Sequence, residues 1–349
     1  MKIVFDHQIF QAQKYGGISQ YFAELYKRLS DSDITIRYSR NRYIDRPVTE
    51  LPSQKYLEMA GYYLIDFLNK QNTILQLSED FDIFHPTYYN PYFLKHLGSK
   101  PYVITVFDMA HERYPEMFGD AAMIIRNKKL VVENATRIIA ISQSTKDDML
   151  QEYEIDPDLI TVIHLATSLT PMITPAPSEN RYILFVGSRE AGYKGFYEFA
   201  KAVGCLLRED KDLHVVCAGG GPLTNEEICM FYPDVQSRVY QVTFKNNDEL
   251  AGYYQDAEVV VFPSWIEGFG IPQLEAMTCG CPIACSDIPV FHEITGDVAE
   301  YFDPKDTESI RSAIVRASRI GRNGQSRAKE FSWDKMAEQT IKVYESCLQ

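Results

Sequence analysis

Two carboxylates eight residues apart, Glu267 and Glu275, stand in the segment VFPSWIEGFGIPQLEAMTCGCPIACS, Val261 to Ser286. An apolar run ends at Pro263, and a glycine loop, Glu267-Gly-Phe-Gly-Ile, follows it. Pro272 then occupies the start of a helix, where its fixed φ fits and its missing N–H is not needed. Such a turn gathers backbone amides at the positive end of the helix, here those of Phe269, Gly270 and Ile271, and binds an anion such as phosphate. Eight residues is not a helical pair spacing, so local helix pairing does not explain the two acids. Glu275 also fits a first-turn acid favoured by the helix dipole. Glu267 lies beside the anion site, where its charge needs another partner, and sugar hydroxyls would serve.

A second segment, FVGSREAGYKG from Phe185 to Gly195, has the same plan: an apolar run ends at Gly187, then come a loop and a helix. Arg189 and Lys194 are its cations, one on each side of the Gly192 turn. A guanidinium and an ammonium at one phosphate site hold a diphosphate and stabilise it as it leaves. Glycine loops after strands are common, so this segment gains weight from the Glu267 loop in the same half.

Strands must end in these loops and helices must follow them, and the chain alternates accordingly. Apolar runs at Lys2–Asp6, Ile34–Tyr38, Phe81–His85, Tyr102–Phe107, Arg137–Ile141 and Ile160–Ile163 read as strands, with a helix from about Ser19 and a capped one after Ser142. The pattern breaks in the proline-containing stretch TSLTPMITPAPSENR, which reads as a linker. It resumes at Tyr182–Val186, Leu213–Ala218, Arg238–Val242, Glu258–Phe262, Ile283–Cys285 and Val298–Phe302. Near-continuous apolar strands separated by helices predict parallel sheets covered on both faces. The expectation is an α/β protein of two doubly wound domains facing a central cleft: 1–165, a linker 166–181, and 182–331. A final helix in 332–349 could pack back on the N-terminal domain. The stretch Lys55–Leu77, rich in Tyr and Leu, is expected to be one helical region packed into the core; displayed instead, it would form a shelf for a lipid-linked acceptor or a membrane interface.

The EGFGIPQLEAM segment with its Glu267-x7-Glu275 spacing, the CGCPIACSDIP that follows, and the VGS…YKGF loop resemble the retaining glycosyltransferases of family 4, which have the GT-B fold. DHQIF…YGGISQYFAEL and FDIFHP are similar to the acceptor-side half of that family, and the resemblance covers nearly the whole chain. It implies that Glu267 contacts the donor sugar or phosphates and Glu275 the nucleotide ribose. Arg189 and Lys194 would neutralise the leaving diphosphate, while Gly187 and the amides of Phe269, Gly270 and Ile271 bind the donor. Gly16 and Gly17 would let the first loop approach the diphosphate and acceptor closely, although a plain strand-to-helix turn explains them too. Many members carry His-Asp where this chain has Phe107-Asp108; His111 is the candidate substitute or else an exposed loop histidine, and His85 is a weaker candidate on the same edge.

The reaction that the resemblance implies is transfer from a nucleotide-diphosphate sugar, GDP- or UDP-linked, with retention by front-face substitution. The acceptor would be a saccharide or lipid-linked saccharide in surface polysaccharide assembly. No cofactor and no metal are expected. The three D-x-D sequences, beginning at Asp31, Asp80 and Asp156, read as turn chemistry. A sugar-nucleotide epimerase and a non-catalytic partner subunit with the same fold are the alternatives.

Composition sets the outer limits. The 349 residues carry a net charge of −13, which argues against a nucleic-acid binder. Residues 1–175 hold 18 Lys and Arg against 22 Asp and Glu, and the remainder 17 against 26. Basic clusters at Arg37, Arg40, Arg42, Arg46 and at Arg126, Lys128, Lys129 are either solvated faces or a patch for peripheral membrane contact. MKIVFDHQIF reads as a first strand rather than a signal peptide, and seven cysteines as reduced thiols, which places the chain in the cytoplasm or at the inner face of a membrane. Cys279, Cys281 and Cys285 lack a second pair or a nearby His and read as small buried residues rather than metal ligands.

Overall fold

The computed structural model describes residues 1–36, 39, 41–44, 55–172, 180–189, 191–320 and 323–349, with no side-chain description at 55–60 and 320. Arg37, Tyr38, Arg40 and Arg46, the linker residues 173–179, and the side chains of Tyr56, Leu57 and Met59 lie outside the described residues. The chain divides into two compact units, Met1–Leu165 with Trp333–Gln349, and Ala166–Ser332.

In the first unit the strands are β1 (Ile3–Phe5), β2 (Ser32–Ile34), β3 (Ile83–His85), β4 (Val103–Val106), β5 (Arg137–Ala140) and β6 (Ile160–Val162). All pair in parallel, in the orders β2-β1-β3 and β4-β5-β6, and a parallel bridge from Phe84 to Tyr102 links the two sets. β2 lies earlier than the apolar run from Ile34 suggests. Helices α1 (Gln8–Ala12), α2 (Gly17–Arg28), α3 (Lys55–Leu77), α4 (Ala110–Arg113), α5 (Ala121–Glu133) and α6 (Gln143–Glu152) connect the strands. Ser142 caps α6, its hydroxyl accepting from the Thr145 amide at 3.0 Å.

α3 corrects the expectation of a core helix. Among its described side chains Ile65, Asn69, Thr73 and Leu77 are buried, four residues apart, whereas Tyr62, Tyr63, Leu64, Phe67 and Leu75 are exposed. The inward face meets polar groups: the Thr73 hydroxyl lies 2.6 Å from that of Thr35 and 3.2 Å from His7 Nδ1, and Asn69 Nδ2 donates to Gln11 Oε1 at 2.9 Å. A helix carries one inward stripe, and here hydrogen-bonding residues take half of the described part, leaving aromatic residues outside.

The second unit contains β7 (Arg181–Val186), β8 (Leu213–Ala218), β9 (Val239–Val242), β10 (Val259–Phe262), β11 (Ile283–Ser286) and β12 (Ala299–Phe302). Its helices are α7 (Phe196–Glu209), α8 (Asn225–Cys229), α9 (Asn247–Asp256), α10 (Ile271–Thr278), α11 (Pro289–Thr295), α12 (Thr307–Ile320) and α13 (Gln325–Ala328). The sheet order is β12-β11-β10-β7-β8-β9, all parallel. The chain moves outward through β7, β8 and β9, then returns to lay β10 on the other side of β7. That reversal opens a crevice at the carboxyl ends of β7 and β10, where ligands bind in open parallel sheets. α7 faces the sheet with Phe196, Phe199, Val203 and Leu207, a helical spacing, and the buried side chains of β7, β8 and β10 complete the core.

The final helix, α14 (Trp333–Ser346), packs against α2 in the first unit. Tyr344 is fully buried there, and Arg28 Nε donates to Asp334 Oδ1 at 2.6 Å.

Candidate active site

The two loops singled out in the sequence leave the adjacent strands β7 and β10 and meet. Gly195 adopts φ 67, and a Cβ there would fall 2.1 Å from the Pro263 carbonyl oxygen, so only glycine lets the loops approach this closely. The Trp265 amide donates to the Tyr193 carbonyl at 2.7 Å. Lys194 Nζ then donates to Glu267 Oε1 at 2.5 Å, and the Ser264 hydroxyl donates to the same oxygen at 2.9 Å. Both charged side chains keep about a quarter of their surface in solvent, 26% for Lys194 and 22% for Glu267. A cation and a carboxylate are thus held at the strand ends, partly desolvated and open to a ligand. Ser264 escaped the sequence reading, although its place three residues before Glu267 was a usable signal.

Behind the pair, α10 begins at Ile271 after Gly270, whose φ is 107. Phe269 is buried, edge-on to Phe331 at 5.9 Å, and anchors the loop. Ile271 is half-buried at the first helical position, one residue before Pro272, so its amide belongs to the unpaired N-terminal set. A Cβ on Gly270 would coincide with Gln273 Oε1, a buried acceptor without a hydrogen-bond partner among the described residues. Glu275 lies farther along α10. Tyr254 of α9 donates its hydroxyl to Glu275 Oε2 at 3.0 Å. Burial pushes the Glu275 carboxyl up to about 7, with the Tyr254 hydrogen bond opposing the rise.

Arg189 does not join Lys194. Its guanidinium is buried, with Nε on Glu227 Oε1 at 2.8 Å and Nη1 on the Gly219 carbonyl at 2.7 Å. Nη2 reaches the carbonyls of Gly221 at 2.8 Å, Gly220 at 3.2 Å and Pro222 at 3.3 Å. The expected two-cation diphosphate clamp is therefore not assembled here, because a carboxylate and a cage of carbonyls already hold one of its members. Gly187 adopts φ 122 at the end of β7, and its amide donates to the Ala218 carbonyl at 3.0 Å, tying this turn to the end of β8. Glu227 and the Gly219–Gly221 run were missed, though Thr224-x-x-Glu227 is a capping-box sequence and a triple glycine after a strand marks an unusual turn.

In the first unit, Gly16 caps α2 and Gly17 is its first residue. A Cβ on Gly16 would sit 2.3 Å from Gln13 Oε1, which accepts from the Ser19 amide at 3.2 Å. The close approach here is to the chain's own Gln13. Phe107 is buried against Tyr21 and Phe22. Asp108 accepts from the Ala110 amide at 3.0 Å and opens α4. His111 stacks on Phe118 at 4.1 Å, with Nε2 3.9 Å from Asp120 Oδ1 and Nδ1 buried without a partner among the described residues. Desolvation lowers its pKa, with Asp108 partly offsetting the shift, so the ring is neutral at pH 7.

Two expectations for this unit fail. His85 is fully buried, with Nδ1 2.6 Å from the Tyr344 hydroxyl and Nε2 3.0 Å from Thr105 Oγ1. It belongs to the core, where α14 covers it, and cannot meet a ligand at the strand ends. Lys128 is on neither a solvated face nor a membrane patch. It is fully buried, donating to Glu112 Oε2 at 2.8 Å and to the Asp108 carbonyl at 3.0 Å, while Tyr153 donates to Glu112 Oε1 at 2.5 Å. A buried ammonium needs such a partner, and this one props up the Asp108–His111 turn.

Residues 15–170 match the model described as Glycosyltransferase Family 4, and residues 180–319 that of Glycosyl transferases group 1. The chain belongs to glycosyltransferase family 4. Among relatives of this family 4 chain, the O-antigen chain mannosyltransferase RfbU of Salmonella typhimurium is 31% identical over 220 residues, covering 62% of this chain and 61% of RfbU. The O-antigen chain mannosyltransferase B of Escherichia coli is 25% identical over 370 residues, covering 94% of this chain and 95% of that protein. Among solved structures, Anabaena Alr3699/HepE in complex with UDP-glucose superposes with a TM-score of 0.75 at 16% identity, covering 99% of this chain and 100% of HepE. That likeness shows the fold, which is GT-B.

Proposed function

We propose that this family 4 chain is a retaining hexosyltransferase that works without a metal ion in surface-polysaccharide synthesis. It would move a sugar from a nucleotide-diphosphate donor to a saccharide or lipid-linked saccharide acceptor. The observation that carries the reading is the Lys194–Glu267 pair beside the start of α10. Lys194 and the helix amides would meet the diphosphate, Glu267 the sugar hydroxyls, and Glu275 the ribose. As the bond from the anomeric carbon to the diphosphate breaks, the acceptor hydroxyl adds on the same face and its proton passes to the departing phosphate oxygen. Positive charge held in place for the developing negative charge is the main source of acceleration. Support for the substrate class comes from the names of RfbU and mannosyltransferase B, and from the UDP-glucose bound to HepE.

The test is a transfer and donor-hydrolysis assay with GDP-mannose and UDP-glucose, with and without EDTA. The anomeric configuration of the product would be read by NMR. Lys194→Ala and Glu267→Ala should each lower turnover by at least about a hundredfold, with unchanged circular dichroism. Near-wild-type turnover in either variant sinks the assignment, and an inverted product or loss of activity in EDTA removes the corresponding clause.

On the acceptor side, the exposed Tyr62, Tyr63, Leu64 and Phe67 of α3 support peripheral contact with a cytoplasmic membrane face. No helix among the described residues is long and apolar enough to cross a membrane.

A further inference from the structure

We propose that Tyr254 is a positioning residue of the donor site: its buried hydroxyl holds Glu275 Oε2 and so fixes the orientation and the charge with which that carboxylate meets the nucleotide ribose. The inference rests on the reading of Glu275 as the ribose contact. Tyr254 is fully buried, and a buried phenol needs a hydrogen-bond partner. Burial, with Glu275 adding to it, pushes its pKa well above the ordinary phenol value. The phenol therefore keeps its proton and donates to Glu275 Oε2 at 3.0 Å. A carboxylate offers about four lone-pair sites. This bond uses one and leaves the others for hydroxyl donors.

The last turn of α9 keeps the phenol in place. The Tyr182 hydroxyl of β7 donates to the Tyr253 carbonyl at 2.7 Å, and the Ala257 amide donates to the same oxygen at 3.2 Å. On the other side of Tyr254, Gln255 Oε1 accepts from the Met172 amide at 2.7 Å, and Gln255 Nε2 donates to the Met172 carbonyl at 2.9 Å. Both chain neighbours of Tyr254 are thus tied to other parts of the same unit. No ion pair to Glu275 exists among the described residues. Arg327 of α13, which packs on α10, is taken by Glu330 Oε2 at 2.6 Å and by the carbonyls of Glu293 and Ile294. His292 of α11 is taken by Asp287 Oδ1 at 2.6 Å. The nearby thiols are Cys279, Cys281 and, on β11, Cys285; burial pushes Cys279 up to about 12 and raises Cys285 too, so both are neutral. A carboxylate without a cation keeps its charge through hydrogen bonds, and Tyr254 supplies one.

In the full-length protein Tyr254→Phe removes the hydroxyl and keeps the ring. It should raise donor KM about tenfold, with a smaller change in kcat. Losing a bond to the charged form raises the carboxyl pKa, so the pH at which donor KM falls should move up by about one unit. Calorimetric titration with UDP, GDP and their 2′-deoxy and 3′-deoxy counterparts reads the same contact. Wild type should prefer the ribonucleotides about tenfold, and Tyr254→Phe should lose most of that preference. A ring that only packs would leave both the pH midpoint and the preference where they are. In a Glu275→Ala background Tyr254→Phe should add nothing to the loss, a comparison that stands even where Tyr254→Phe alone unfolds. An unchanged midpoint or preference in Tyr254→Phe, or a further tenfold loss in the Glu275→Ala background, overturns the proposal and leaves the ribose reading in place. Nucleotide binding by wild type with no preference for the ribonucleotides overturns the ribose reading, and this inference with it.

Discussion

Single residues in this chain take roles that their type alone leaves open. Glu275 is a carboxylate pushed up to about 7 by burial. Contact with a ribose diol is best made by the ionised form, which accepts a hydrogen bond from each hydroxyl. Donor KM should therefore fall as pH rises from about 6 to about 8, and the dependence should flatten in Glu275→Gln. Steady-state kinetics across that range checks it, and an unchanged slope in the variant would refute the ribose assignment. His85 titrates in the opposite sense. Burial pushes its pKa down to about 3 from an ordinary value near 6.5, so the unfolded chain binds the extra proton first. Its neutral form contributes stability that is present above about pH 6.5 and is lost as pH falls toward 3. The free energy of unfolding, read from denaturant titrations, should drop on acidification more steeply in wild type than in His85→Asn, by up to about 1.4 kcal/mol per pH unit from this one proton.

At the scale of elements, the alternation of apolar runs and helices was legible because it is written locally. Leu213–Ala218 forms a strand over the run its sequence marks, and α3 spans Lys55–Leu77 as its composition indicates. α5 and α12 went unmarked, although Asp306, whose carboxylate accepts from the Glu308 amide at 2.9 Å and the Ser309 amide at 3.3 Å, was a usable cap signal for α12. Which face α3 shows could not be read, because its apolar residues nearly surround it, and long-range hydrogen bonds from Thr73 and Asn69 choose the inward side. The exposed stripe gives a prediction. The protein should co-sediment with vesicles containing anionic lipid, and Tyr63→Ser/Phe67→Ser should weaken this by about a hundredfold or more, since each buried aromatic contributes about 1.5–3 kcal/mol. Equal sedimentation of variant and wild type would rule out α3 as the contact.

Over the whole molecule, α14 is distant in sequence from the unit it completes. Tyr344 supplies a hydrogen bond to His85 at 2.6 Å, and Trp333, Met336 and Val343 are buried. A chain ending at Ser332 should lose the cooperative melting of the first unit, because truncation uncovers α2 and removes the Tyr344 partner of His85 Nδ1. Retention of the full-length melting transition would show that this packing contributes little.

The sequence by itself determined the α/β alternation, the glycine loop that holds Gly270, the helix start at α10, and the candidacy of Lys194 and Glu267. Each depends on dihedral preferences or on spacing within a few residues. Only the tertiary structure decided the partners. Lys194 meets Glu267 across 73 residues because β7 and β10 are neighbours in the sheet. Arg189 meets Glu227 and the Gly219 loop because β8 flanks β7 on the other side. His85 and Lys128 are buried by helix packing, His85 under Tyr344 of α14 and Lys128 of α5 against the turn that holds Asp108 and Glu112. A charge acts over a few ångströms of space, and strand order rather than distance along the chain sets which charges come that near.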